Sequence, residues 1–396
     1  MTTLLACFFP ISVFFIGCFV AHDFALNDIY QYYLSFILFF ILSFFLALFL
    51  TKPKHRNNLS KRFHLASRGY LTFKVILVLY YGLIFISYVT ANGYENIRGF
   101  FVSEQLQSSP FYFAPLTYLD AYVAVALDYI FLAFFVGLSN KRNALTLIAL
   151  LIVQYAIFFA SRGIFAGLIS FFILHAIYQK SISLKKFVKG SFMVVLIFPL
   201  IMFMQINRES NSKNNDDAIS DRATTGILYY YVVPPLILNS ISQNSDYYKT
   251  HVGYGFATFG FLTDPLVALL PLDNKKDLMP SKKLSAEAQN YILDFEGKEY
   301  NALASFLYGA IFDFGILGPV IYGVFFGMLL GHSYARRDLF GLIIYISTAM
   351  FVNTGGLFFN ITGEWFWSLL LSSFFIMKSS KYYPNYKEKK MIGNEL

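Results

Sequence analysis

Residues 144–178 read ALTLIALLIVQYAIFFASRGIFAGLISFFILHAIY, and Arg162 is the only formally charged residue in the run. A stretch of this length suits two membrane crossings back to back. Roughly 17 residues on either side of the arginine give about 26 Å of helix at about 1.5 Å per residue, slightly short of a hydrocarbon core of about 30 Å. The Ser161-Arg162-Gly163 turn is therefore expected to be drawn into the bilayer surface. A guanidinium there is costly unless it faces a polar cavity or a partner. Arg162 accordingly reads as an anion-binding residue, and a diphosphate is the natural anion at a membrane.

The rest of the chain fits that reading. Hydrophobic residues make up 57% of the 396 and charged residues 14%, with 47 Phe and 29 Tyr. So much apolar surface predicts a polytopic membrane protein, an all-α helical bundle forming a single membrane domain over 1–396. Apolar runs near 3–20, 31–50, 71–90, 120–138, 144–160, 164–179, 190–206, 303–331, 339–358 and 364–377 predict about ten transmembrane helices. The first run lacks a basic leader and a clear small-residue cleavage site, so it reads as a first helix and not as a signal. Cys7 and Cys18 both fall within it, which implies neither a disulfide framework nor a metal knuckle.

Lysine and arginine placement gives the orientation. Segments 51–70, 139–143, 180–190, 332–338 and the tail 378–396 together hold 19 basic residues, whereas 21–30, 91–119 and 161–163 hold only Arg98 and Arg162. Both termini, and the tail, are therefore expected in the cytoplasm. The net charge of +8 is then a topology signal. With no basic stripe on a soluble module, nucleic acid is not an expected partner.

One outward segment, 207–302, is far longer than any other connection and is expected to be a large periplasmic loop. It begins charged and turns apolar in 226–239 and 255–272. Pro234-Pro235 and Pro265 suit these pieces to interfacial or re-entrant segments over a protein-lined cavity. If the two pieces instead form a hairpin with 240–254 inside, the count rises to twelve. In the eighth run Gly323, Gly327 and Gly331 recur every fourth residue, a face for close helix packing. Asp313 in the same run is an intramembrane carboxylate, the kind of group that marks a pathway or a buried partner.

Motifs exclude several classes. The chain has no phosphate-binding Gly-rich loop, no dinucleotide fingerprint, no H-E-x-x-H and no G-x-S-x-G, and its six histidines are scattered. No cofactor and no metal are expected. With no D-x-D in the outward segments, an enzyme here is expected to use a lipid-linked donor. Four of the ten arginines are outward, namely Arg98, Arg162, Arg208 and Arg222. Their planar forks suit phosphate oxygens and a diphosphate leaving group. The plainer alternative pairs Arg98, Arg208 and Arg222 with Glu95, Glu209 and Asp221 on a solvated surface.

Ser161-Arg162-Gly163 at an outward hairpin, Arg208 opening a late outward loop, and Ser305 to Gly309 followed by Asp313-Phe314-Gly315 and Gly318 together resemble the oligosaccharide repeat-unit polymerases of bacterial surface polysaccharide synthesis, the Wzy-type O-antigen polymerases. Some members carry arginine motifs ending in a glycine eleven residues on; this chain has Ile173, Ile219 and Val233 at those positions. The resemblance implies a multi-pass protein of the bacterial inner membrane. It would transfer a glycan from undecaprenyl diphosphate to a second lipid-linked repeat unit at the periplasmic face. It also implies membrane lipid as surroundings, with a chain-length regulator and a flippase as partners. Arg162 and Arg208 would hold the departing diphosphate, with Arg98, Arg222, Asp313 and Glu364 lining the substrate site. His251, Asp264, Glu299 and Glu364 are the candidates for the acceptor of the attacking hydroxyl's proton; His251 and Glu299 are placed with the catalytic arginines. Tyr254, Trp365 and Trp367 fit an aromatic membrane interface. Two other readings remain: an O-antigen ligase delivering glycan to lipid A core, and a lipid-linked oligosaccharide flippase. The latter would show internal repeats, which are not seen here.

The charge pattern predicts that single cysteines at Asn57, Asn143 and Ser183, in a background lacking Cys7 and Cys18, resist an impermeant thiol reagent in cells with a permeable outer membrane. Cysteines at Asp28, Ser108 and Ser212 are expected to react. Labelling at 183 but not at 212 would invert the orientation.

Overall fold

The computed structural model describes residues 1–52, 61–94, 97–102, 104–120, 124–137, 140–161, 163–180, 232–243, 292–295, 298–301 and 305–355. Expected spans 190–206 and 364–377, the apolar piece 255–272 and the tail lie outside these residues. The fold is helical. By length and composition four helical stretches are long and apolar enough to cross a membrane, Asn27–Leu50, Ser67–Asn92, Lys141–Phe158 and Leu307–Arg336, the last with an internal break described below, or five if the bent pair at the N-terminus is one span. Leu127–Val136, Gly167–Tyr178 and Leu339–Asn353 are apolar but shorter.

The first two helices, α1 (Thr2–Phe8) and α2 (Ser12–Asp23), meet at 55°. The bend falls at Phe9-Pro10-Ile11, because a proline has no N–H to continue the helix and its ring excludes the carbonyl one turn back. The run 3–20, expected as one helix, is therefore a broken one. After α3 (Asn27–Leu50) comes α4 (Lys61–Asn92). Its apolar part buries Tyr70, Lys74, Leu77, Tyr81 and Ile84 on one face and exposes Ile76, Leu79, Leu83 and Ile86 on the other. The segment expected as a simple outward loop after α4 is folded. It contains α5 (Ile97–Val102), a 3-10 turn (Glu104–Ser108) and α6 (Ala114–Leu119). Ile97, Phe100, Phe101 and Leu106 pack from it onto Leu77, Tyr81 and Ile84 as a cap.

Next come α7 (Val125–Gly137), α8 (Lys141–Leu151) continued by a π-helical segment (Ile152–Phe158), and α9 (Gly163–Tyr178). Within the expected large loop, residues 232–243 form α10, with Pro234-Pro235 in its first turn, where missing N–H groups cost nothing. Its Val233, Ile237, Leu238 and Ile241 enter the main core. The same segment ends in an antiparallel hairpin, β1 (Ile292–Phe295) and β2 (Lys298–Asn301), that the sequence reading did not anticipate.

The run 303–331, expected as a single crossing, is two helices, α11 (Leu307–Phe314) and α12 (Gly318–Arg336). Gly315 between them has φ +59° and ψ −142°, a conformation open to glycine and closed to other residues. A Cβ on Gly318 would sit 2.0 Å from the carbonyl of Ala310. In a straight helix those residues would be about 12 Å apart, so the chain folds back on itself here. The last described helix is α13 (Leu339–Gly355).

The glycine face of α12 packs as its spacing predicts. A Cβ on Gly323, Gly327 or Gly331 would lie 2.7, 2.3 or 2.3 Å from the carbonyl oxygens of Phe36, Phe40 and Phe44 on α3. Both series ascend together, so α3 and α12 run parallel and their backbones touch. Their C-terminal ends lie side by side, where Thr51 Oγ1 is 3.0 Å from His332 Nδ1. The end of α9 is tied to the same place. Tyr178 donates its hydroxyl to the Asp338 carbonyl at 2.9 Å, and its own carbonyl accepts from Arg337. Asp338 takes both Arg336 Nε (3.2 Å) and Nη2 (2.6 Å) and caps α13 by accepting from Gly341 N at 2.7 Å. Arg337, at left-handed φ, lays its guanidinium 3.7 Å above the Tyr334 ring. Tyr70 stacks on Phe131 at 4.4 Å, which sets the first half of α4 beside the middle of α7.

Gly327→Ala should lower the thermal unfolding midpoint of the protein in detergent, at a cost of roughly 1–3 kcal/mol, because the added methyl meets a backbone carbonyl that cannot swing away. Val324→Ala, at a position 40% exposed on the same helix, should leave it unchanged.

Candidate functional site

A buried ionic network lies between α4, α7 and the π-helical segment. Lys74 is fully buried, and Asp128 and Asp120 are almost so. Lys74 Nζ is 2.7 Å from Asp128 Oδ2 and 3.9 Å from Asp120 Oδ1. Tyr70, one turn before Lys74, donates to Asp128 Oδ1 at 2.5 Å and lies 2.9 Å from the Ala124 carbonyl. Tyr155 donates to Asp128 Oδ2 at 3.3 Å, and its ring lies 4.9 Å from Lys74 Nζ. Gln154, also fully buried, donates Nε2 to Asp120 Oδ2 at 2.7 Å. With all three charged groups ionised the network carries one excess negative charge.

Local structure explains how these side chains meet. Tyr70 and Lys74 are four residues apart and share the inward face of α4. Asp120 sits where α6 gives out and Asp128 in the first turn of α7. Gln154 and Tyr155 are consecutive, and in an α-helix they would diverge by about 100°. They lie in the π-helical stretch, a local widening of the helix that is frequent at functional sites. Its exit is marked by Phe159 N donating to Gln154 O at 3.1 Å and Ser161 N to Tyr155 O at 2.8 Å, with Ala160 at φ +47°. An isolated buried charge is expensive, and an ion pair offsets that cost only when its remaining hydrogen-bonding sites are filled. Around Asp128 they are filled three times over.

Beyond the network, toward the turn before Arg162, lies an aromatic layer. Phe159 packs on Tyr81 at 4.8 Å and on Phe101 at 4.9 Å, and Phe158 on Phe85 at 5.0 Å. Arg98 is half-buried in the same short helix as Phe101, so the structure brings Arg98's helix to the turn that precedes Arg162. Asp313 is buried at the end of α11, two residues before the Gly315 break, with its neighbours Ile311 and Phe312 in the larger core cluster and not in this aromatic one. Glu299 is in β2, opposite Asp294. Arg162, Arg208, Arg222, His251, Asp264 and Glu364, with Tyr254, Trp365 and Trp367, lie outside the described residues. Among the described residues no group of three or more His, Cys, Asp and Glu is placed to hold a metal ion.

Lys74, Asp120, Asp128 and Gln154 were not singled out from the sequence. The signal for three of them was present. Lys74 is the only charged residue in the run 71–90, and Asp120 and Asp128 are the only ones in 120–138. The intramembrane-charge argument that selects Arg162 applies to all three. Gln154 carries no such mark, since its role depends on the π-helical register.

No protein-family model, curated protein or solved structure matches the chain.

Lys74→Met should destabilise the protein by about 3–5 kcal/mol, as expected when one member of a buried pair is removed and the Asp128 carboxylate is left without its cation. Adding Asp128→Asn should recover part of that loss. Detergent melting curves of the single and double variants measure both.

Proposed function

We propose that this protein is a membrane glycosyltransferase that extends undecaprenyl-diphosphate-linked oligosaccharide at the outer face of a bacterial inner membrane, an O-antigen polymerase or a close functional equivalent. The observation that carries the reading is the position of Phe159 to Ser161, the residues that lead into Arg162. Tyr178, at the far end of α9, is bonded to the 332–338 segment, and that segment meets Thr51 at the end of α3. Ser161 is at the other end of α9, away from the 332–338 segment, and Phe158 and Phe159 just before it pack against the aromatic cap that carries Arg98. This is where a guanidinium is needed to hold and release a lipid diphosphate at the surface opposite the cytoplasm. The wider scheme of about ten spans, cytoplasmic termini and a periplasmic 207–302 segment belongs to the same proposal. The shared placement of the ends of α3, α9 and α12 supports it.

A second reading, a transporter of the lipid-linked oligosaccharide, is favoured by one observation. The Lys74–Asp120–Asp128 network puts charge in the bundle interior, as transport pathways do.

A chromosomal deletion complemented with wild-type or variant protein, read by surface-glycan electrophoresis, separates these readings. Loss of a polymerase leaves a single repeat unit on core. Loss of a ligase leaves bare core with polymer on the carrier, and loss of a flippase leaves units stranded on the cytoplasmic side. At normal protein level, Arg162→Ala should abolish chain extension and Arg162→Lys should restore it in part, because an ammonium keeps the charge without the planar fork. Full-length chains from the alanine variant would remove Arg162 from the mechanism.

A further inference from the structure

The contact between Asp120 and Gln154 is only half made. Gln154 Nε2 donates to Asp120 Oδ2 at 2.7 Å, while Asp120 Oδ1 and Gln154 Oε1, both buried, have no hydrogen-bond partner among the described residues. Lys74 does not supply one. Its ammonium is held 2.7 Å from Asp128 and stands 3.9 Å from Asp120 Oδ1. Buried polar atoms are almost always satisfied, and each exception calls for a donor. Here two acceptors on one contacting pair of side chains lack a donor, in a network with one more carboxylate than cation. The deficit is one hydrogen and one positive charge.

A proton meets both needs. Placed on Asp120 Oδ1, it turns that oxygen into a donor for the amide oxygen of Gln154, completes an acid–amide pair and leaves Lys74 and Asp128 as a neutral ion pair. Hard metal cations take about six oxygen ligands or more, and this site offers two. We propose that Asp120 is a proton-binding site, holding a proton on Oδ1 against Gln154 and releasing it when the network passes from neutral to singly negative. The proton leaves as such, no other bond is made or broken, and Asp120 becomes a carboxylate. The other titratable groups around it are Lys74, Tyr70 and Tyr81 from α4, Asp128 from α7 and Tyr155 from the π-helical segment. The inference is independent of the glycan reading, since it concerns occupancy by a proton and not transfer of sugar.

Infrared spectroscopy of the full chain in lipid nanodiscs tests it without any substrate. The wild type should show a protonated-carboxyl carbonyl band at neutral pH that disappears as pH is raised. Asp120→Asn should lose that band and Asp128→Asn should retain it. Gln154→Leu should shift the band, because the acid loses its amide partner; this arm remains decisive if Asp120→Asn does not fold. An identical band in wild type and Asp120→Asn would overturn the proposal, as would no shift in Gln154→Leu. A band removed by Asp128→Asn alone would also overturn it, by placing the proton on the other carboxylate. So would sodium-dependent thermal stabilisation that vanishes in Asp120→Asn, since a metal cation would then fill the site.

Discussion

The backbone of α12 rests on the backbone of α3, and the rest of the helical core is arranged around that contact. Lipid chains are as apolar as leucine, so helices in a bilayer gain little from hiding apolar side chains from one another and depend on close approach and buried polar bonds. Three glycines give the approach. With no side chain at 323, 327 and 331, α12 comes near enough for the carbonyls of Phe36, Phe40 and Phe44 to fill the space a Cβ would need. The phenyl rings of the same three residues are buried around the contact. Phe306, at the start of α11, lies between Phe14, Phe36, Phe326 and Phe351 and so joins four helices at one ring.

Polar bonds hold the bundle at two separate levels. At the end where α3, α9 and α12 finish, Asp338 gathers Arg336 and the first turn of α13, and Tyr178 binds the same loop from the side. Deeper, Asp128 gathers Lys74, Tyr70 and Tyr155. The two levels differ in what they leave undone. Every oxygen of Asp338 and Asp128 is engaged, as expected of groups that hold structure. Asp120, next to Asp128, keeps one oxygen without a partner. With Lys74 held at Asp128 and 3.9 Å away, that oxygen is left for something else to complete.

How far the sequence could be read depended on whether a feature was local. The glycine ladder was legible because a period of four residues on one helix means a flat face whatever lies opposite. The breaks at Pro10 and Gly315 were underestimated, because average hydropathy over twenty residues is blind to one residue that bends or reverses the chain. The Lys74 network was missed for a different reason. Its members come from separate runs, and an isolated charge in each was outweighed by the apolar residues around it. Gln154 was beyond reach, since a glutamine in an apolar helix gains meaning only from a π-helical turn, which depends on what packs against it. Of the residues named for chemistry, Arg98 is half-buried and Asp313 buried, while most of the arginine set lies outside the described residues.

The parallel pairing of α3 and α12 sets an order of events during synthesis. Phe44 enters the membrane early, yet its backbone partner, Gly331, is made only after everything between them. At about 5–20 residues per second, α3 waits on the order of ten seconds to a minute with its aromatic face against lipid or a temporary neighbour. The bundle cannot close from its N-terminus forward. It stays open along one side until the last third of the chain arrives, and a ribosome that stalls before the glycines leaves an inserted but unsealed protein for the quality-control proteases of the membrane.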